Sequence, residues 1–222
     1  MYHAILFDLD GTLLDTVPDF TLILNRMLVR QGRAPVNVDE VRGFVSYGAM
    51  AVVRQGFGLD ENAPTLPQLL EEFLALYTEQ IPQTVATLFT DIDLVLTQLQ
   101  DQNKPWGIMT NKARRFSEAL LTRFDAFARC ATLVCPDDVG QGKPDPAGLL
   151  LACQQMQLPP EDVLYVGDHP RDIDAAVRAG MPSLVAGWGY LPESPPIDSW
   201  GANCVAHTPR DLLHALLQTE AQ

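Results

Sequence analysis

After Thr90 the hydrophobic pattern alternates between short apolar runs and stretches of helical spacing, and few folds accommodate that alternation. Residues 106–109, 132–135, 163–166 and 183–186 read as strands, and a last short one falls near Cys204-Val205. Residues 94–99, 116–124, 146–156, 173–179 and 212–217 carry apolar side chains at helical intervals. Strands that alternate with helices build a parallel sheet covered on both faces. Residues 2–7, apolar and stopped by Asp8, form a further buried strand of the same kind.

That first strand is separated from the others by a stretch of different character. Pro18 suits the first turn of a helix that opens at residues 15–18. Phe20, Ile23, Leu24, Met27 and Leu28 then recur at amphipathic helical spacing, and Gly32 ends the helix. Residues 38–44 and 49–56 are two shorter helices split by Ser46-Tyr47-Gly48. Leu69, Leu70, Phe73, Leu74 and Tyr77 mark another, stopped by Pro82. The expected fold is therefore α/β: a Rossmann-like parallel sheet core, residues 1–15 and 83–222, with a helical cap, residues 16–82, inserted after the first strand. Such an insert sits above the carboxyl edge of the sheet, where these folds bind ligands.

Charge removes several functions. The formal net charge is −13, and no basic run offsets it, so nucleic acid and anionic membranes are excluded as partners. A small phosphorylated metabolite remains compatible, because a divalent cation and a few lysines reverse the field locally. Cys130, Cys135, Cys153 and Cys204 lack metal-ligand spacing and read as free thiols, and His3, His207 and His214 suggest no metal site. With no basic region followed by a long apolar one near the N-terminus, the expected location is cytoplasmic.

Four polar features fall at the end of a predicted strand or in the loop after it: Asp8-Leu9-Asp10-Gly11-Thr12, Thr110-Asn111, Lys143-Pro144-Asp145-Pro146, and Gly167-Asp168 with Asp172. A parallel sheet brings such ends to one edge. Asp8, Asp10 and Asp168 would then place three carboxylates together, and like charges that close demand a proton or a hard cation. Oxygen ligands with open positions suit Mg2+. Lys143 adds positive charge, Thr110 a hydroxyl and Asn111 an amide donor. Backbone N–H groups around Leu9 and Gly11 are expected to meet phosphate oxygens. The predicted chemistry is in-line attack of Asp8 on phosphorus, with Asp10 as acid and then base, and Thr110 and Lys143 stabilising the transferring charge.

The run Asp8-Leu9-Asp10-Gly11-Thr12-Leu13-Leu14-Asp15-Thr16 resembles the first motif of the haloacid dehalogenase superfamily of phosphatases. Thr110, Lys143 and Gly167-Asp168 with Asp172 resemble its second, third and fourth, in order, and the insert resembles its small cap domain. Within that superfamily the chain is most similar to phosphoglycolate phosphatases and N-acetylmuramic acid 6-phosphate phosphatases, through residues 108–112, 135–138 and 188–190. The resemblance implies that Asp8 is nucleophile and metal ligand and that Asp168 is a metal ligand. It implies that Asp10 also binds metal through its backbone carbonyl. Asp172 is implied to orient Lys143 or a water on the metal. His169-Pro170 and residues 88–91 depart from the family pattern.

Other readings compete. A phosphomutase would use the same groups, and a receiver-type signalling module also gathers carboxylates, Thr and Lys around magnesium. In the receiver, however, the phosphorylated Asp ends a later strand, and it has no place for the helical insert. Asp172 and Asp174 also suit a helix first turn. Ser46-Tyr47-Gly48 is either a substrate loop or a plain turn, and Arg42 and Arg54 read mainly as surface charges. Trp188-Gly189-Tyr190 reads as packing.

Overall fold

The computed structural model describes residues 2–218. They form strands β1 (Ala4–Phe7), β2 (Leu14–Asp15), β3 (Thr87–Leu88), β4 (Trp106–Met109), β5 (Leu133–Val134), β6 (Val163–Gly167), β7 (Ser183–Ala186) and β8 (Cys204–Ala206). The helices are α1 (Val17–Arg30), α2 (Val38–Val45), α3 (Ala49–Phe57), α4 (Leu66–Gln80), α5 (Ile92–Asp101), α6 (Arg114–Leu121), α7 (Pro136–Val139), α8 (Ala147–Met156), α9 (Pro170–Ala179) and α10 (Pro209–Gln218). Two compact units result: Met1–Leu14 with Leu88–Gln222, and Asp15–Thr87.

The first unit is built on a six-stranded sheet in the order β5-β4-β1-β6-β7-β8, with each pairing parallel. Counted along the chain within this sheet, that is the Rossmann order, and its topological switch lies between β1 and β6. All four residues of β1 are fully buried, because both faces of the sheet are covered. Ile5, Phe7, Trp106, Ile108, Leu164 and Val166 face one layer, with Val95 and Leu99 of α5, Leu120 of α6 and Leu212 of α10. Ala4, Leu6, Met109 and Tyr165 face the other, with Leu149 and Ala152 of α8 and Ala175 and Ala176 of α9.

The second unit packs α1 to α4 around Phe20, which meets Phe73 and Tyr77 edge-on at 5.5 and 5.0 Å. Asn37 and Glu40 close a reciprocal capping box on α2. Gly58, left-handed at φ 61°, ends α3. No strand of the described residues falls between 16 and 82. Among the described residues no helix is long and apolar enough to cross a membrane.

Two local expectations change, and one pairing is new. The helix expected to reach 124 stops at Leu121, and Phe124 is extended, its ring packed against Phe127 at 5.6 Å. The strand expected over 132–135 shortens to β5, because Pro136 starts α7 at once. The chain also pairs β2 with β3 as a small second sheet where it passes between the two units.

Candidate active site

The register places the site. Phe7 pairs with Val166, and the Asp8 N–H donates to Val166 O at 2.9 Å. Asp8 and Asp168 therefore leave adjacent parallel strands at the carboxyl ends on either side of the topological switch. Asp172 arrives from the first turn of α9. Single carboxylate oxygens of Asp8, Asp168 and Asp172 all lie within 4.8 Å of one another.

Lys143 sits among them with a fully buried side chain. Its Nζ lies 2.8 Å from Asp8 Oδ1, 2.7 Å from Asp172 Oδ1 and 2.9 Å from the Tyr165 hydroxyl. The Tyr165 O–H itself donates to Met109 O at 3.0 Å, so its oxygen is left to accept from Lys143. Burial lowers the proton affinity of Lys143, but Asp172 and Asp8 more than reverse this, and the net shift is upward. Asp8 is pushed up to about 6, first by burial and then by Asp172, with Lys143 opposing. Burial, Asp172 and Asp8 raise Asp168 well above the usual carboxylate range. One ammonium cannot balance three clustered carboxylates, and an all-oxygen donor set of this kind fits a hard divalent cation.

Neighbouring loops fix each member. Asp168 Oδ1 accepts from the Thr12 hydroxyl at 3.1 Å, and Oδ2 accepts from Tyr190 N–H at 2.8 Å. Trp188 Nε1 donates to Thr12 O at 2.9 Å. The Trp188 side chain thus braces the Asp8–Thr12 loop, while Tyr190 holds Asp168 through its backbone N–H. Gly11 stands at φ 90°, where a Cβ would also collide with the Asp168 carboxylate, so only glycine fits. Asp172 does both jobs weighed for it: its Oδ2 caps α9 through His169 N–H at 2.9 Å, and its Oδ1 holds Lys143. Asp174 is exposed on α9 and takes no part.

Several expected site residues are placed differently. The converging trio is Asp8, Asp168 and Asp172, whereas the Asp10 carboxylate is held by Lys112, whose Nζ lies 2.9 and 3.0 Å from its two oxygens. The N–H cradle expected at Leu9 and Gly11 is engaged internally. Leu9 N–H donates to Asp8 Oδ1 at 2.7 Å and Gly11 N–H to Leu14 O at 2.9 Å, because the chain turns tightly there. Asn111 spends its amide on the Lys143 backbone, donating to its O at 3.0 Å and accepting from its N–H at 2.7 Å. Thr110 is buried at the end of β4, where its hydroxyl accepts from Lys112 N–H at 3.2 Å. In the second unit, Arg42 pairs with Asp15 at 2.9 Å and Tyr47 is exposed. Two residues of this site carried no expectation, Lys112 and Tyr165. The first stands two residues past a strand-end Thr, which was the available signal; the second was hidden in an apolar strand.

A Rossmann-order sheet that gathers clustered carboxylates and a buried lysine at its switch point defines an α/β protein with a polar centre where such folds bind ligands. The chain belongs to the haloacid dehalogenase-like hydrolase family, whose model matches residues 5–186. It is 41% identical over 96% of its length to the N-acetylmuramic acid 6-phosphate phosphatase of Pseudomonas aeruginosa, covering 94% of that protein. It is 37% identical over 93% of its length to a phosphoglycolate phosphatase of Xylella fastidiosa, covering 90% of it. A crystal structure from Haemophilus somnus, described as that of a predicted phosphoglycolate phosphatase, shares the fold with a TM-score of 0.83. That match is at 23% identity and covers 97% of this chain and 98% of that one.

Proposed function

We propose that this chain is a phosphatase that hydrolyses a small phosphorylated metabolite through an aspartyl-phosphate on Asp8. The observation that carries the reading is the Asp8 carboxylate at the switch point, tied to a buried Lys143 and clustered with Asp168 and Asp172. The core unit performs the reaction, and the helical unit, residues 16–82 of it, acts as a cap that selects the ester.

An Asp8 oxygen attacks phosphorus while the ester P–O bond breaks, and the leaving oxygen takes a proton from the Asp10 carboxyl. Water then attacks phosphorus, gives a proton to the Asp10 carboxylate, and releases inorganic phosphate and the free Asp8 carboxylate. Lys143 keeps the Asp8 carboxylate aimed and offsets charge, and Thr110 lines the end of β4 beside the transferring group. Asp8, Asp168 and the Asp10 backbone carbonyl would hold Mg2+. When bound, it supplies the positive charge that lets an anionic nucleophile approach an anionic phosphate. The upward shifts at Asp8 and Asp168 mark a carboxylate set short of positive charge, which fits that ion.

The substrate is drawn from the relatives' range: N-acetylmuramic acid 6-phosphate first, by the higher identity, and phosphoglycolate second. The test is a panel of phosphorylated metabolites that includes both, scored by kcat/KM from released inorganic phosphate, in wild type and Asp8→Asn. The expected result is release by wild type and none by the variant. Substantial turnover by Asp8→Asn would sink the covalent mechanism, and phosphate retained on an isomerised product would replace the hydrolase by a mutase.

A further inference from the structure

Lys112 is the charged group at the site that the proposed mechanism leaves without a task. Its side chain is only 6% exposed, and an ammonium buried to that degree is a poor choice for stability alone. Its Nζ reaches both Asp10 oxygens, at 2.9 and 3.0 Å, across more than a hundred residues of chain. The backbone that carries it is fixed on two sides. Lys112 N–H donates to Thr110 Oγ1 at 3.2 Å, and Lys112 O accepts from Ser117 Oγ at 3.3 Å. The end of β4 thus presents a rigid lysine to the one carboxylate that stands apart from the Asp8–Asp168–Asp172 cluster.

We infer that Lys112 is the positioning residue for Asp10: it holds that carboxyl group in the orientation from which a proton reaches the leaving oxygen of the substrate. The inference rests on the proposed role of Asp10 as acid and base. The geometry favours orientation over simple pairing. Near-equal contacts from one nitrogen to both oxygens hold the carboxyl group end-on to Lys112 and so fix the direction it faces as well as its place, and a general acid misplaced by about 1 Å loses much of its effect. The Thr110 hydroxyl gains a second task, since it anchors the backbone from which Lys112 extends.

Leaving-group chemistry tests this. An alkyl phosphate needs its departing alkoxide protonated, whereas p-nitrophenolate departs readily without a proton. Lys112→Met is therefore expected to slow the hydrolysis of an alkyl phosphate about 100-fold, and the pre-steady-state burst of p-nitrophenolate no more than about threefold. Asp10→Asn is run beside it and is expected to show the same asymmetry. The double variant should be no slower on the alkyl ester than Asp10→Asn alone, and Lys112→Arg should recover much of the loss. Equal losses on both substrates, or an additive double variant, would overturn the assignment to Lys112 while leaving the mechanism standing. An Asp10→Asn that shows no asymmetry would overturn the acid role and the inference with it. Should Lys112→Met melt below the assay temperature, Lys112→Gln takes its place in the same comparisons.

Discussion

At the residue scale the site is a small network centred on the Lys143 ammonium. The Lys143 ammonium has three N–H groups and three close acceptors: Asp8, Asp172 and Tyr165. Tyr165 is the neutral one, and its own proton is committed to Met109 O. Burial and then the facing carboxylates hold its phenol well above the ordinary range, so it stays an un-ionised acceptor. Tyr165→Phe would replace a 2.9 Å acceptor of a fully buried ammonium by the longer contact to Met109 O at 3.4 Å, a weakening of about 1 kcal/mol. The expected result is a fall in kcat of about tenfold with KM little changed, because Lys143 is no longer held in line with Asp8. Steady-state kinetics checks it, and an unchanged kcat would show that Asp8 and Asp172 suffice. The sequence made Asp8 and Asp168 legible because each directly follows a strand, and Lys143 because it stands in a Gly-Lys-Pro-Asp-Pro loop, although α7 separates that loop from β5. It hid Tyr165, since an aromatic residue in a buried parallel strand looks like packing. It also could not reveal that the Asp10 carboxylate faces Lys112, since side-chain direction beyond a tight turn is set by contacts distant along the chain.

At the scale of elements, periodic segments were readable and short ones were not. Helices α1 and α4 were found from apolar spacing, whereas the two-residue strands β2 and β3 and the one-turn α7 are too short to show a period. Their existence depends on partners far along the chain. Asp19 shows how such partners hold an element. It lies in the first turn of α1, fully buried, where a carboxylate looks like a dipole match and nothing more. Its Oδ1 accepts from Gln80 Nε2 at 3.2 Å and from Val85 N–H at 3.0 Å, and its Oδ2 accepts from the Thr84 hydroxyl. Asp19 therefore ties the start of α1 to the run after α4, within the second unit. Asp19→Ala should destabilise that unit by about 3 kcal/mol, since three donors lose a charged acceptor in a buried place. Hydrogen exchange should find faster exchange at Val85 and its neighbours, with the β1–β6 amides of the core unchanged. Unaltered protection at Val85 would mean that the segment is held by its other contacts.

At the scale of the whole molecule, the chain carries a net charge of −13 and still buries three carboxylates at one point of its core unit. The sheet order brings two of them together, because β1 and β6 are neighbours and an aspartate directly follows each, and α9 adds the third. The consequence is a stability whose pH dependence runs against the usual direction. Burial, with Asp172 adding to it, lifts Asp8 to about 6, above its unfolded value near 3.9. Between those values the folded chain holds more protons than the unfolded one, so this group's contribution to stability rises as pH falls through about 6 and levels off below the unfolded value. Asp168, also raised, acts in the same direction. In the presence of a chelator, the melting temperature of wild type minus that of Asp8→Asn should therefore increase between pH 7.5 and pH 5. Mg2+ should oppose the trend, because it requires the ionised carboxylates that protons remove. At about 100 times its Kd it should raise the wild-type melting temperature by roughly 5–10 °C near neutral pH, and by less at pH 5. A chelated wild type that loses ground to Asp8→Asn on acidification would show that the cluster is already neutralised within the protein, and the case for a cation at this site would fall with it.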